Sequence, residues 1–542
     1  MSRNANIKFV DAETAAKLIP DDAVIASACF GNAGWPHELA YALEDRFLET
    51  GHPKNIMHVH AAGDGDFGTN GHGECHWAHP GFLTKVITSH PGSSPELMKG
   101  IEDDWIMCWN QPLGTMLQVF REMGRGMPGI LSKTGLGTFM DPRLDRGAVN
   151  PSSRKYKENF VEYVPDFMGE EYIFYRAYPL THAFLRGTYA DTNGNISIEK
   201  EALNLEMLAV AQAVKACGGT VFVQVQKVVE LGQINPKMVK VPGIYVDYVV
   251  EAKKPELDYQ TQGTFYNPAF SGEIRVDISE KSDWMPMSAD KVMCRRAAME
   301  IKPGFKCNFG IGKAQSIGSV VEEEGCRQRI VMISESGSIG GVPGSGLDFG
   351  AHTNIEASCD QGDHFSFFEG GGLDLGVFGL SEADKDGNIN TSLLNGTVKG
   401  VGGFANISAT AKHTIFMGNF NVGGAKCHVE DGKMVIDQEG KFQKFVKQCP
   451  QLTFNADEAL KKGHEILFIT ERCVIRRTEE GLILEEVAPG IDMHKQIIDL
   501  IPDVHLIIPE GGPKSMPPEI FQEKWGGLSA LMDQAEADQK AD

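Results

Sequence analysis

Among the side chains able to act on a bound molecule, one carboxylate is set apart. Glu335 closes the apolar run Val331-Met332-Ile333 and precedes six glycines spread between Gly337 and Gly350. No histidine or lysine stands beside it in the chain to take or give a proton. A carboxylate without a base suits direct nucleophilic attack, since an ordinary glutamate, with a pKa of about 4.3, is already ionised at neutral pH. The tetrahedral intermediate of such an attack needs donors for its oxyanion, and glycine-rich backbone can supply N–H groups at close range. Three further glycine clusters lie in the same half: "NFGIG" at 308–312, "EGGGLD" at 369–374 and "KGVGGFAN" at 399–406. Together with the stretch after Glu335 they predict one ligand-lined cleft around that carboxylate.

A second group is "HVHAAGDGDFGTNGHGECHWAHPG", with His58, His60, His72, Cys75, His76 and His79. The residue types suit zinc. The spacing follows no standard finger, and the later half of the chain has no counterpart, so these read as structural histidines and no metal site is expected. There is no G-x-S-x-G elbow, no P-loop, and no G-x-G-x-x-G between a strand and a helix. That argues against a serine hydrolase, a P-loop NTPase and a nicotinamide dehydrogenase.

Several elements must position Glu335. "RIVMI" reads as a buried strand, and in open α/β sheets ligands gather beyond the carboxyl ends of strands. Two stretches share a strand–glycine loop–helix plan. In the first, "DDAVIASACFGNAGWPHELAYALEDRF", Pro36 suits the first turn of a helix that turns Leu39, Ala42, Leu43 and Phe47 inward. In the second, "PGFKCNFGIGKAQSIGSVVEEEG", Ile317, Val320 and Val321 share a helical face. "RGTYADTNGNIS" and "FGLSEADKDGNINTS" are a sharper pair, in which Asn193-Gly194 and Asp386-Gly387 read as type I′ hairpin turns. "AVKACGGTVFVQV" and "ATAKHTIFMGNF" follow them, each a helix end, a turn and a strand. The repeated order predicts an α/β protein built from two copies of one open α/β domain. The expected boundaries are 1–275, 276–524 with a helix opening after Ser288, and a charged, fraying tail at 525–542.

The 542-residue length fits more than one domain. Glycine, at 61 residues, exceeds the usual level of about 7%. A net charge of −22 disfavours nucleic acid and anionic membrane as partners. The first residues show no secretory h-region, and no apolar run is long enough for a membrane helix. The 11 unpatterned cysteines read as reduced thiols in the cytoplasm.

The motifs "SESGSIGGVP", "EGGGLDLGVFGLSEADKDGNIN" and "GVGGFANISATAK" closely resemble the family I coenzyme A-transferases, in particular the single-chain branch of short-chain acyl-CoA:acetate and propionate enzymes. "GIYVDYVV", "RGTYADTNGNIS", "KFVKQ" and "ITERCV" extend the resemblance over nearly the whole chain. It implies two fused CoA-transferase domains and a nucleophilic glutamate within S-E-x-G, matched by Ser334, Glu335, Ser336 and Gly337. It further implies that Gly310, Ile311, Gly312, Gly402 and Gly403 line the CoA and oxyanion site, and that Asn390, Phe30 and Gly31 border the acyl pocket. The Gly-Gly that precedes this Phe in the family is Ala28-Cys29 here, and the stretch after "GNIN" departs from relatives. The implied activity is transfer of CoA between short-chain acyl-CoA and a carboxylic acid through a glutamyl-CoA thioester. No cofactor is needed beyond CoA as substrate, and the chain is expected to form a homo-oligomer, a dimer or tetramer. Two alternatives stay open: an acyl-CoA hydrolase on the same scaffold, and a non-catalytic metabolite sensor.

Overall fold

The computed structural model describes residues 7–68, 71–277 and 284–541. Two compact units result, each an open α/β sheet.

The first unit is built on a 10-stranded sheet. Its main path runs Lys8–Val10, Tyr248–Glu251, Thr220–Val229, His182–Asp191, Val24–Ser27, Ile56–His60, Leu83–Thr88 and Met107–Asn110, every neighbouring pair parallel. Parallel strands are covered on both faces, so both alternating sets of side chains must be buried. Ile56–His60 is buried at every position, and His182–Asp191 at all but one. The helix His37–Thr50 buries Leu39, Ala42 and Leu43 as its spacing requires, with Phe47 half-buried. It stops at Gly51, whose left-handed φ of 71° lets its N–H reach the Phe47 carbonyl.

The second unit carries a 9-stranded sheet. Val331–Met332, Lys306–Phe309, Leu375–Gly379, His413–Met417 and Glu465–Ile469 are parallel, and Cys473–Thr478 with Gly481–Val487 extends the sheet antiparallel. The helix Ala289–Ala298 opens it under a Ser288 cap whose hydroxyl accepts the Lys291 N–H at 3.2 Å. Ile317, Val320 and Val321 are all buried in its core.

Five adjacent parallel strands share one topology in the two units: Ile56–His60, Val24–Ser27, His182–Asp191, Thr220–Val229 and Tyr248–Glu251 in the first, and Val331–Met332, Lys306–Phe309, Leu375–Gly379, His413–Met417 and Glu465–Ile469 in the second, with first, second and later counted along the chain within each set. The strand that comes first in the chain pairs on one side with the second and on the other with the third, then the fourth and fifth. This 2-1-3-4-5 order places a switch point between the first and third strands. The twin hairpins also repeat atom for atom. Asp191 Oδ1 accepts the N–H groups of Asn193 and Asn195, and Asp384 Oδ1 those of Asp386 and Asn388. Only Gly194 and Gly387 have positive φ, at 76° and 79°. The turns therefore span four residues closed by a left-handed glycine. They are not the expected type I′ pairs, because the aspartate side chain closes the turn from within.

Two expectations need correction. The first unit takes in residues up to Val276, but also 335–366 and 395–406, so the division is not one cut near residue 275. Part of the expected seam, 278–283, lies outside the described residues, as does 1–6, where the leader reading applied. The end of the chain is no fraying tail either. Leu528–Ala541 is a helix whose Leu528 and Met532 are fully buried, while Arg329 pairs with Asp533 at 2.8 Å and Glu536 at 2.7 Å. Apolar residues on one helical face and acids on the other hold it down. No helix among the described residues is long and apolar enough to cross a membrane.

Candidate active site

Glu335 begins the first of the two later segments that pack with the first unit. The glycines behind it are not a donor-lined loop. Ser338–Pro343 and His352–Ser358 form an antiparallel hairpin, and a Cβ on Gly337 or Gly341 would stand 2.5 Å from the Cys359 carbonyl or 2.3 Å from that of Thr353. These glycines permit close strand approach. The backbone that meets the carboxylate comes instead from residues 395–406. The Gly403 N–H donates to Glu335, and a Cβ on Gly403 would lie 2.5 Å from Glu335 Oε2 and 2.9 Å from Phe365 Cζ. Gln361 Nε2 donates to the Glu335 backbone carbonyl at 3.1 Å, fixing where the side chain starts.

The carboxyl ends of the first unit's parallel strands hold this segment in place. Ser89, just past Leu83–Thr88, accepts the N–H groups of Val401 at 2.8 Å and Gly402 at 2.9 Å through its carbonyl. Asn110, at the end of the neighbouring strand, donates to the carbonyls of Thr88 and Ser89, both at 2.7 Å, and accepts the Val401 N–H at 3.1 Å. Gly400 must be glycine, since a Cβ there would stand 2.5 Å from the Ser89 carbonyl oxygen. Gly402 has a φ of 53° and faces the His90 ring. The backbone that meets Glu335 is thus held at strand ends of the first unit's sheet. Ser89, His90, Asn110, Gln361 and Phe365 carry no motif, and only the fold assembles them.

Glu335 is half-buried, yet burial of its carboxyl raises its pKa from 4.5 to about 7, against which the Gly403 N–H pulls only weakly. The sequence-based picture of a fully ionised acid is thereby corrected. The group is poised near neutrality, and its anion is more basic than that of an ordinary glutamate.

The remaining sequence-derived residues divide. Phe30 and Gly31 belong to the first unit, in the loop after Val24–Ser27. Gly31, at φ 59°, exchanges backbone bonds with Gly63 and Gly65, and a Cβ on it would strike the Phe349 ring at 2.7 Å. Phe30 is buried beneath Phe349, with ring centroids 5.6 Å apart, so it supports the surface without lining it. Gly310, Ile311 and Gly312 lie in the second unit, at the carboxyl end of Lys306–Phe309. Ile311 is exposed, Gly312 has φ 86° with open space around it, and Gly310 sits against the Val377 carbonyl. "EGGGLD" is likewise in the second unit from Phe367 onward, and "KGVGGFAN" meets Glu335 within the first. Asn390 is fully buried, donating to Glu382 at 2.7 Å and the Leu393 carbonyl at 2.6 Å and accepting the Leu393 N–H. Its amide is thus committed to holding this turn.

The histidine-rich stretch separates into two clusters. Fully buried Glu74, absent from the sequence reading, binds His58 Nδ1 at 2.6 Å and His60 Nε2 at 3.0 Å, and His58 Nε2 meets Ser27 Oγ at 2.8 Å. Burial opposes ionisation of Glu74, but the two rings outweigh it and hold its pKa low. These three side chains are close enough together to hold a metal ion. His76 and His79 instead grip Glu44, at 2.5 and 2.7 Å.

The coenzyme A transferase profile matches residues 10–252. Caffeate CoA-transferase of Acetobacterium woodii is 41% identical over 532 residues, covering 97% of this chain and 99% of its own. The chain belongs to the coenzyme A-transferase family. Acetate CoA-transferase YdiF of Escherichia coli K12 is 36% identical over 510 residues, 94% of each chain. The crystal structure of acyl-CoA transferase YdiF from Escherichia coli O157:H7 superposes with a TM-score of 0.89 at 34% identity, covering 97% of this chain and 98% of that one. This CoA-transferase is accordingly an acyl-CoA:carboxylate CoA-transferase with two open α/β domains.

Proposed function

We propose that the enzyme exchanges CoA among short carboxylic acids by ping-pong catalysis through Glu335. The carboxylate attacks the acyl-CoA carbonyl carbon; the tetrahedral intermediate expels CoA thiolate and leaves an acyl-glutamyl anhydride. The thiolate then attacks the glutamyl carbonyl, releasing the first acid and forming a glutamyl-CoA thioester. A second carboxylate repeats these two steps in reverse. Thioester free energy is conserved throughout, so ATP, a metal and any cofactor other than CoA are unnecessary. The Gly403 N–H is the donor next to the developing oxyanion, with Gly402 shaping the backbone beside it, while Gly310, Ile311 and Gly312 contribute to CoA binding. Phe30 and Gly31 support the acyl side. Relatives named for acetate and for caffeate support carboxylic acids as acceptors, and a YdiF structure described as a thioester complex with CoA supports the covalent intermediate. The enzyme works in the cytoplasm as a homo-oligomer.

One observation carries this reading: a desolvated carboxylate facing the Gly403 backbone donor, on which no charged group among the described residues acts. Incubation with acyl-CoA followed by hydroxylamine or borohydride trapping and peptide mapping tests it. The label should fall on Glu335; a label on a cysteine or another acid would sink the assignment. Following acid exchange against net CoA release in the same tubes separates transfer from hydrolysis.

A further inference from the structure

The fully buried cluster of His58, His60 and Glu74 holds more acceptors than its protons can join. His58 and His60 are two apart on one strand, so both rings leave the same face of the sheet. They stack with centroids 4.3 Å apart and an interplanar angle of 18°. Glu74 comes from the short turn Gly73–Trp77 and reaches both rings. Its Oε1 lies 2.6 Å from His58 Nδ1 and its Oε2 3.0 Å from His60 Nε2. The other nitrogen of each ring is already engaged: His60 Nδ1 meets the Ala62 carbonyl, and His58 Nε2 stands 2.8 Å from Ser27 Oγ.

A carbonyl only accepts, so His60 carries its proton on Nδ1 and turns the lone pair of Nε2 toward Glu74. The carboxylate oxygen it faces is an acceptor too. At 3.0 Å the two atoms form no hydrogen bond, and both are buried without a partner. Buried acceptors left unpaired are costly, and two that face each other also repel unless positive charge stands between them. The donor atoms of the three side chains converge within 4.8 Å of one another.

The donor set suits zinc. Its bonds to imidazole nitrogen and carboxylate oxygen are about 2.0–2.2 Å long, which sets neighbouring ligand atoms about 3 Å apart. Two ring nitrogens and both oxygens of Glu74 make four donors, the number a structural zinc takes. Metal-binding histidines give their second N–H to an oxygen acceptor, which fixes the ring and its tautomer. Ala62 and Ser27 stand where such acceptors belong. Trp35 and Trp77, both fully buried, set their rings edge-on to His58 at 5.5 and 5.0 Å. An apolar shell of this kind controls solvent access to a metal.

We propose that His58, His60 and Glu74 bind one structural zinc ion in the first unit. His58 then keeps its proton on Nε2, donates it to Ser27 Oγ and offers Nδ1 to the ion. The ion ties the Glu74 turn to the end of Ile56–His60. The chain between them carries Gly63 and Gly65, which pack so closely that a Cβ would lie 2.2 Å from the His90 carbonyl oxygen and 2.3 Å from that of Ser93. The ion takes no part in acyl transfer, so the site stands or falls independently of Glu335. Sealed in the core, it is out of reach of chelators while the enzyme is folded.

The test counts metal by plasma mass spectrometry in full-length enzyme made without a histidine tag in zinc-supplemented medium. Gel filtration in EDTA first strips surface ions. The wild type should keep about one zinc per chain and release it to a chromophoric chelator only on unfolding in guanidinium. Growth with cobalt in place of zinc should give visible ligand-field bands. His60→Leu and Glu74→Leu should retain almost no metal and melt lower, whereas His76→Gln, in the neighbouring pair that grips Glu44, should keep the full amount. The wild-type count decides the matter even where those two variants fold poorly. A folded wild type that emerges without metal overturns the proposal. Full zinc content in His60→Leu, or its loss from His76→Gln, does the same, and one equivalent of a different metal overturns the choice of zinc.

Discussion

At the scale of single residues, the chemistry turns on how burial treats one carboxyl. With burial raising its pKa to about 7, attack by the Glu335 anion as proposed predicts that kcat/KM for acyl-CoA climbs about tenfold per pH unit below that point and levels off above it. A profile already flat between pH 5.5 and 8 would mean an ordinary, solvated glutamate. Stability carries the opposite sign. The folded-state pKa lies above the unfolded 4.5, so ionisation penalises the fold; the penalty is absent below the unfolded value and fully present above the folded one. Glu335→Gln should therefore abolish transfer by several orders of magnitude yet melt higher than wild type at pH 8, with the difference shrinking toward pH 4. Glu335→Asp withdraws the carboxylate by roughly 1.5 Å, and misplacement on that scale costs on the order of 10²-fold. Gly403→Ala should be similarly impaired in steady-state assays, since its Cβ would lie 2.5 Å from Oε2; full activity would remove Gly403 from the site.

Elements transmit this geometry through strand ends. Asn110 ties the Leu83–Thr88 exit to Val401 with three hydrogen bonds from a fully buried amide. Asn110→Ala leaves buried backbone groups short of partners at about 1–3 kcal/mol. It also loosens the segment carrying Gly402 and Gly403. Urea denaturation should show the lost stability, and kcat should fall further than KM rises, because the displaced donor serves the reacting carbon. Unchanged kcat in a destabilised Asn110→Ala would confine that residue to folding. The twin hairpins show local determination at its strongest. The order Asp-x-x-Gly-Asn produces the same aspartate-closed turn twice, because every bond in it joins residues within four positions. Asn390, two places beyond that turn, was drawn toward the acyl pocket by resemblance, but its neighbours Glu382 and Leu393 consume its amide.

Over the whole molecule, chain order and packing order differ. Residues 335–366 and 395–406 leave the sequence of the later half and pack with the first unit, and the closing helix anchors the second through Leu528 and Met532. Deleting residues 528–542 exposes the surface those two side chains cover, and at about 1.5–3 kcal/mol each the truncated enzyme should lose about 3–6 kcal/mol in urea titrations; no loss would contradict that packing. EDTA should leave turnover unchanged, and activity lost to it and restored by zinc would move the function toward His58, His60 and Glu74. Glu335 as the candidate nucleophile, the repeated α/β plan and the strand–loop–helix corners were readable along the chain, because each depends on side-chain types and periodicities within about twenty residues. Tertiary structure alone decided which glycine faces Glu335, since Gly403 lies far along the chain while the glycines next in sequence were taken up by a hairpin. It also decided that the carboxyl is desolvated and that Glu74 meets both His58 and His60. Desolvation and such meetings arise from atoms packed around a group from separate parts of the chain, and local sequence holds no record of those distances.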